Sequence, residues 1–405
     1  MQGEEAECAI RPSIGEILSS VLYIGATGYG GLAMIALMKR WLVHRKKWVS
    51  EEEFLNALGI AQALPGSTTV SLMGFVGYGL RGLLGWALCS FLFILPAFLL
   101  TTALAQFYFR YHNLHVVQRL FAGLGALVVG LLVNAAVELG RPVFRGSSRK
   151  KIGNLIIASA VFFLSVYTKL NTMELVLLSA ILGCALGRFV RKYKAITTNE
   201  NSNQSLLRSG PAFRDALLVL AVMGTLLIAL WWMHTNLWLL STTFLQIGTI
   251  AFGNGFTALP LIKSVVVDRF HWLSLNEFRD GIAIAQVTPG PVFISAAFIG
   301  YKISGWLGAA VATVAVFLPS LVILLPVIEL HQRVVESRLF QTSVEGILAG
   351  FIGILAVLVL QLGEKSLVGW HAWVIFAATL AIVLVMKKDV LWAILCAAVL
   401  SLSPI

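Results

Sequence analysis

The chain says the same thing twice. Residues 48–66 read WVSEEEFLNALGIAQALPG, and residues 272–290 read WLSLNEFRDGIAIAQVTPG. Downstream, FVGYGLRGLLG from Phe75 answers FIGYKISGWLG from Phe298, and the ILP ending at Pro96 answers the FLP ending at Pro319. Upstream, YGGLAM from Tyr29 answers FGNGFTALP from Phe252. Later, Gly123, Gly130 and Gly140 answer Gly346, Gly353 and Gly363. The offset is 223 from Phe75 to Phe298 and 224 from Trp48 to Trp272, so two units descend from one duplicated ancestor. Duplicated hydrophobic units with Pro-Gly breaks at their centres are how many secondary transporters are built.

Such a unit belongs in a bilayer. Hydrophobic residues make up 58% of the chain and charged residues 12%, against about 25% charged in a soluble domain. The fold class expected is an all-α polytopic membrane protein. The net charge of +11 suits Lys and Arg concentrated in short cytoplasmic loops better than nucleic-acid binding, and no nucleic-acid partner is expected. Cys8, Cys89, Cys184 and Cys396 are far apart in sequence. They read as helix-packing residues, with no metal site, disulfide framework or cofactor. The acidic, polar start MQGEEAECAIRPS gives no cleavable signal peptide, so the first hydrophobic segment is expected to direct insertion itself.

Apolar runs long enough to span lie near 18–38, 83–107, 119–140, 152–168, 173–189, 212–233, 238–262, 306–330, 343–362, 370–386 and 389–403. The motif segments 54–78 and 278–302 bring the total to about thirteen. A polar linker from Arg188 to Arg214 contains NENSNQS and carries Arg191, Lys192, Lys194 and Arg208. The expected organisation is an N-terminal repeat over 1–190, a basic linker with a connecting transmembrane helix over 191–235, and a C-terminal repeat over 236–405. Segment 212–233 has no counterpart before the first unit.

Topology turns on the motif segments. Each could cross once as a helix broken at Pro-Gly, or fold as a re-entrant hairpin meeting at Pro65-Gly66 or Pro289-Gly290. A hairpin arm of about 12 residues reaches roughly 18 Å, past the midpoint of a ~30 Å core. Six crossings per unit plus a connecting helix invert the second unit; five leave the units parallel. Counting Lys and Arg gives about 20 inside for single crossings and about 22 for hairpins, which does not discriminate. Hairpins do place the dense cluster Lys39, Arg40, Arg45, Lys46 and Lys47 in the cytoplasm.

The chemistry points to the paired Gln-x-x-Pro-Gly motifs: Gln62, Pro65, Gly66 and Gln286, Pro289, Gly290. Proline ends a helix, and glycine lets the chain bend and approach a ligand closely. Backbone freed inside a membrane must be buried in protein or line a wet cavity. A half-helix starting at the break would aim free N–H groups and a positive dipole end into that cavity, which suits an anion. Thr68, Thr69 and Ser295 could add hydroxyls, and the glutamines can donate without bringing charge. The alternative is a pair of kinks that only shape packing. Gly28, Gly30, Gly31 and Gly253, Asn254, Gly255 permit either close helix approach or unwound backbone. Ser50-x-x-Glu53 and Ser274-x-x-Glu277 fit capping boxes rather than catalysis. Arg81 and Lys302 read equally as anchors near span ends or as attraction for an anion, whereas Lys39, Arg40, Lys263 and Arg269 read as anchors. Asp268 and His271, at a surface, are weaker candidates for proton coupling. No HExxH, GxSxG or Walker A sequence is present, and no enzyme is expected.

These residues resemble the chromate ion transporter family in its long, two-unit form, over nearly the whole chain. The likeness rests on YGG at Tyr29, the Trp48–Phe54 spacing, AQALPG at Ala61, GY at Gly77 and Pro96. In the second unit it rests on FGNG at Phe252, ALP at Ala258, AQVTPGP at Ala285, GY at Gly300 and Pro319. The resemblance implies about thirteen membrane segments with oppositely oriented halves in the cell inner membrane. It also implies export of chromate from the cytoplasm, with resistance as the outcome. Three positions depart from the family pattern: Leu32 follows YGG where FGGP is usual, Ser67 replaces the second proline of LPGP, and Asn254 interrupts FGGG. The expected function is secondary active export of a tetrahedral oxyanion, chromate first. Sulfate or another oxyanion, or a passive anion channel, is the alternative. Proton or anion coupling and a homodimer stay open.

Overall fold

The computed structural model describes residues 12–168, 170–187, 212–232, 236–253, 255–335 and 337–403. Cys8, Asn254 and the linker residues from Arg188 to Arg208 lie outside the described residues. Among the described residues the chain is helical throughout, and six helices are long and apolar enough to cross a membrane.

The first unit contains α1 (Ile14–Thr27), α2 (Gly31–Lys39), α3 (Glu51–Ala63), α4 (Thr68–Tyr111), α5 (His115–Val143), α6 (Ser148–Tyr167) and α7 (Thr172–Gly187). Helix α8 (Ala212–Trp232) follows. The second unit contains α9 (Asn236–Ile250), α10 (Ala258–Lys263), α11 (Leu275–Val287), α12 (Ser295–Val335), α13 (Arg338–Ser366), α14 (Trp370–Leu380) and α15 (Val390–Leu402). Local devices recur at the repeat offset. Single π turns, Arg40–Arg45 and Ser264–Arg269, finish α2 and α10. Both predicted capping boxes are formed, with Ser50 and Ser274 satisfying the amides of Glu53 and Glu277 and the carboxylates returning the bond. Each box is worth about 1 kcal/mol to its helix start.

The long helices α4 and α12 are each two helices. Arg81-Gly82 and Ser304-Gly305 leave helical geometry, and both glycines have a positive φ of 59°. In a straight helix Gly77 and Gly85 would stand about 12 Å apart along the axis. A β-carbon on Gly77 would instead come within 2.3 Å of the Gly85 carbonyl oxygen. The chain therefore reverses there, and at Gly300 and Gly308, where the same distance is 2.2 Å.

The arms of the motif segments also fold back. Lys302 Nζ lies 2.8 Å from Glu277 Oε1. A helix continuing through Pro289-Gly290 would hold those residues roughly 35–40 Å apart. In the first unit Arg81, at the end of the returning arm, donates to the Pro12 carbonyl at 2.7 Å. Lys39 pairs with Glu51 at the start of α3, and that contact holds the Glu51 carboxyl below the usual carboxylate range.

Two expectations are corrected here. The apolar run 238–262 is not one helix, because α9 stops at Ile250 and α10 starts at Ala258, and the apolar run 18–38 is not one span either. It breaks at Gly28–Gly30, and Lys46 Nζ reaches Glu16 Oε1 at 2.8 Å, where a continuous helix would separate them by roughly 45 Å. Tyr23 stacks on Trp41 midway, with ring centroids 4.2 Å apart. The reason is the Gly28-Tyr29-Gly30 stretch: Gly28 turns extended and ends α1, and Gly30 takes φ 71° just ahead of α2.

Pro12, Glu16, Lys46, Glu51 and Arg81 thus share one end of the molecule. Tyr78 joins the start of α8 there, its hydroxyl bonded to Asp215 at 3.1 Å. The second arm of α4 leads away from this basic end. At its far end Tyr108 meets Asp280 and Phe109 meets Lys302, both in the hairpin of the second unit. The start of α11 therefore lies opposite the start of α3.

Small residues let the helices seat against one another, as packing between membrane helices requires. A β-carbon at Gly25 would lie 2.4 Å from the Phe93 carbonyl oxygen, and at its counterpart Gly248 2.3 Å from that of Val316. Gly59, inside α3, meets nothing within 4 Å. Gly25→Ala should lower the thermal unfolding temperature of the detergent-solubilised protein through backbone overpacking of about 1–3 kcal/mol. Gly59→Ala should raise it, by at most about 1 kcal/mol of helix propensity. Equal shifts of one sign would refute this packing.

Candidate functional site

Four unwound stretches meet at the centre of the molecule, and each unit supplies two. The Gly66 N–H donates to the Ala251 carbonyl at 2.6 Å, and the Gly290 N–H donates to the Gly28 carbonyl at 2.9 Å. Gly28 and Ala251 are repeat counterparts, as are Gly66 and Gly290. Each Pro-Gly break is therefore pinned to the end of the first helix of the other unit. Tyr29 runs beside Gly290, and Pro65 beside Phe252, as single bridges. Gly66 and Gly290 carry φ of +94° and +109°, a region that disfavours other residues. A β-carbon would also strike Ser320 at 2.5 Å or Ala97 at 2.7 Å, the counterpart residues just after Pro319 and Pro96.

A cavity of ≈ 380 Å³ opens from this crossing. Its floor includes Tyr29, Gly30, Ser67, Thr68, Thr69, Gly255, Gln286, Thr288 and Gly290. One wall is α5, through Leu131, Asn134, Glu138 and Arg141. The mouth carries Lys387, Lys388 and Asp389 from the turn between α14 and α15. Arg141 lies near the end of α5, which starts beside Tyr108 at the far end and runs back packed on α13 and α14, so the cavity opens at the basic end.

The floor is built to donate. The first arm of α4 begins at Thr68, and its N-cap residue Ser67 makes no side-chain bond to the helix amides. Those amides keep free hydrogens beside the cavity. The Ser67 and Thr69 hydroxyls lie 3.3 Å apart, both buried. Gln286 is 8% exposed, and its Nε2 has no hydrogen-bond partner among the described residues. A buried amide donor left unpaired is unfavourable by about 1–3 kcal/mol, so Gln286 carries a hydrogen-bonding capacity that the described residues leave unused.

The residues singled out from the sequence separate into groups. Gly30, Gly255, Gln286 and Gly290 line the cavity with Thr68 and Thr69. Pro65, Gly66 and Pro289 are buried just behind it, at the crossing. Gly253 is unwound, with φ 91°, but outside the lining. Gly31 starts α2. Ser295 and its counterpart Ser71 are buried away from the lining, with hydroxyls that have no partner among the described residues. Gln62 is exposed and absent from the lining, although it is the counterpart of Gln286. Arg81 and Lys302 are not brought to the cavity: they stand at the reversals, one hairpin arm or roughly 20 Å from the breaks. Asp268 is engaged by Lys263 at 2.9 Å. Sequence reasoning missed Asn134, Glu138 and Arg141. Their signal was spacing: positions i, i+4 and i+7 put three polar groups on one face of an apolar helix.

The far end is closed. Thr101 donates to Thr288 at 3.0 Å, and Trp306 to Gln106 at 3.0 Å. Asp280 accepts from Tyr108 at 2.9 Å and from Arg279 Nε and Nη2 at 2.9 and 2.8 Å, so both its oxygens are engaged. The counterparts of Arg279 and Asp280 are Leu55 and Asn56, which cannot build this network.

The sequence profile of the chromate transporter family matches residues 15–184 and 237–402. The chain belongs to that family. The two matched regions support the repeat read from the motifs. A probable chromate transport protein of Synechococcus elongatus is 31% identical over 360 residues, covering 88% of this chain and 86% of that protein. A chromate transport protein of Cupriavidus metallidurans is 29% identical over 377 residues, 93% of this chain and 89% of that one. An uncharacterized transporter of Methanocaldococcus jannaschii is 29% identical over 379 residues, 93% and 90%. No solved structure matches.

Asp280→Ala should destabilise the protein by about 3–5 kcal/mol, because Arg279 is left buried and unpaired. The double change Arg279→Met with Asp280→Leu should recover most of that loss. Unfolding temperatures in detergent decide it; a double variant no better than Asp280→Ala would refute the ion-pair account.

Proposed function

We propose that this transporter-family chain exports chromate from the cytoplasm across the cell inner membrane as a secondary transporter. The carrying observation is the Gln286 amide, buried and without a partner, beside the free N-terminus of the α4 arm on the cavity floor. A tetrahedral dianion suits that floor. It accepts several hydrogen bonds at once, and the helix end supplies positive potential without a buried charge. Sulfate has the same shape and charge and is the alternative substrate. The names of the Synechococcus and Cupriavidus relatives favour chromate.

The direction follows from charge and voltage. The basic end holds about twice as many of the described Lys and Arg residues as the far end, which suits the cytoplasmic face. The cavity then opens to the cytoplasm, where an exporter loads. An inside-negative potential contributes about 2.3 kcal/mol per charge per 100 mV, or roughly 4–5 kcal/mol for a dianion moving outward. No nucleotide is needed.

The topology we infer has nine full crossings and four re-entrant hairpins, thirteen membrane segments in all. The hairpins are α1–α2, α3 with the first arm of α4, α9–α10, and α11 with the first arm of α12. Four crossings per unit plus α8 is an odd number, so the second unit is inverted. Units over 1–190 and 236–405 joined through 191–235 fit this count.

Chromate accumulation in cells lacking their own exporter tests the reading. The chain should lower intracellular chromate, with competition by sulfate reporting shared recognition. Gln286→Ala should weaken transport about tenfold or more, the loss expected for a hydrogen bond to a charged group. Gln62→Ala should change it little. Unchanged accumulation with the protein verified in the membrane would overturn the substrate, and flux linear in voltage without saturation would indicate a channel.

A further inference from the structure

We propose that Glu138 takes up a proton when an oxyanion enters the cavity, so that anion and proton are bound together. The proposal rests on the oxyanion reading above and adds the coupling that it leaves open; a proton carried outward with the dianion leaves one net negative charge moving, so the membrane voltage then contributes about half of what it gives the bare dianion.

Helix α5 is apolar across the membrane, and the stretch Leu131–Leu139 carries only two polar side chains, Asn134 and Glu138. Both line the cavity, and Arg141 continues their stripe to the mouth. An ionisable residue inside a spanning helix is unfavourable unless it pairs or serves an ion path. Glu138 makes no ion pair or hydrogen bond among the described residues. The counterparts of Asn134, Glu138 and Arg141 are Val357, Gln361 and Glu364. The two units therefore differ along this stripe, and it is the first unit's copy that lines the cavity.

The charged groups that share the cavity with Glu138 are Arg141 on its own helix and Lys387, Lys388 and Asp389 from the α14–α15 turn. The other elements around it bring Tyr29, Ser67, Thr68, Thr69, Gln286 and Thr288, none of them charged at neutral pH. Asp389 is at the exposed mouth. Glu138 is thus the inner carboxylate of a cavity whose floor otherwise donates. A dianion on that floor and an ionised Glu138 repel each other across a confined space of low dielectric. A nearby like charge favours the neutral form of a carboxylic acid. The proton moves from water to a Glu138 carboxylate oxygen, and no bond of the anion changes. The neutral acid can then donate a hydrogen bond to the anion, which the ionised form cannot. Arg141 stays charged and draws the anion in.

Calorimetric titration of the full-length protein with chromate, in two buffers of different ionisation heat, counts protons taken up per anion. Comparison with Glu138→Gln cancels proton exchange by chromate itself. The wild type should take up about one more proton than Glu138→Gln, and its affinity should fall by up to about tenfold more per unit rise in pH. Glu138→Asp should restore the uptake, and Arg141→Gln should weaken binding at every pH while retaining it. Equal proton counts in wild type and Glu138→Gln would overturn the proposal and leave the oxyanion site standing. Absence of chromate binding to the wild type at any pH would overturn both.

Discussion

Everything else in this protein hangs on two backbone hydrogen bonds at its centre. The Gly66 amide rests on the Ala251 carbonyl and the Gly290 amide on the Gly28 carbonyl. Each joins an unwound stretch of one unit to an unwound stretch of the other. In a bilayer no water is at hand to satisfy such groups, so broken helices survive only where protein or a wet cavity receives them. Here each unit receives the breaks of its partner. Neither unit could leave its helices open at these positions alone, which gives the duplication a physical reason.

The same crossing creates the cavity. Four helix ends converge without filling the space between them, and what remains is lined by amides, hydroxyls and one unpaired glutamine. The backbone plan recurs, although the second unit opens its returning arms with 3-10 turns at Gly255–Thr257 and Val292–Ile294 where the first starts in α-helix, and the side chains differ. Toward the basic end the cavity is open and edged by Arg141, Lys387 and Lys388. Toward the far end, Thr101–Thr288, Tyr108–Asp280 and Gln106–Trp306 tie the second hairpin to α4. Two units of one design thus give a cavity with one open and one closed end, which under the proposed function is the condition that transport by alternating exposure starts from.

Much of this was legible in the residues. The repeat, the helical membrane class, the capping boxes at Ser50 and Ser274, and the breaks at Pro65 and Pro289 all depend on local chemistry. A missing N–H, a missing β-carbon or a serine three residues before a glutamate acts within a few residues of itself. The α1–α2 hairpin was harder to see. An apolar run of about twenty residues reads as a span whether it crosses or folds back, and it is the Glu16–Lys46 and Tyr23–Trp41 contacts that distinguish the two. The α5 stripe was written in its spacing but masked by the apolar residues around it.

What the sequence determined by itself was where the chain must break and that it must do so twice. Those are properties of proline, glycine and hydrophobic length. What only the tertiary structure decided was which side chains share a space. Gln62 and Gln286 stand at equivalent places in equivalent motifs, yet one is exposed and the other is buried in the cavity wall. The two motifs face different neighbours once the units pack. Arg81 and Lys302, close to the motifs in sequence, end a full hairpin arm away, while Glu138, remote in sequence, faces the same cavity. A helix arm rises about 1.5 Å per residue, so nearness along the chain becomes distance along the axis, and only packing brings the far parts together.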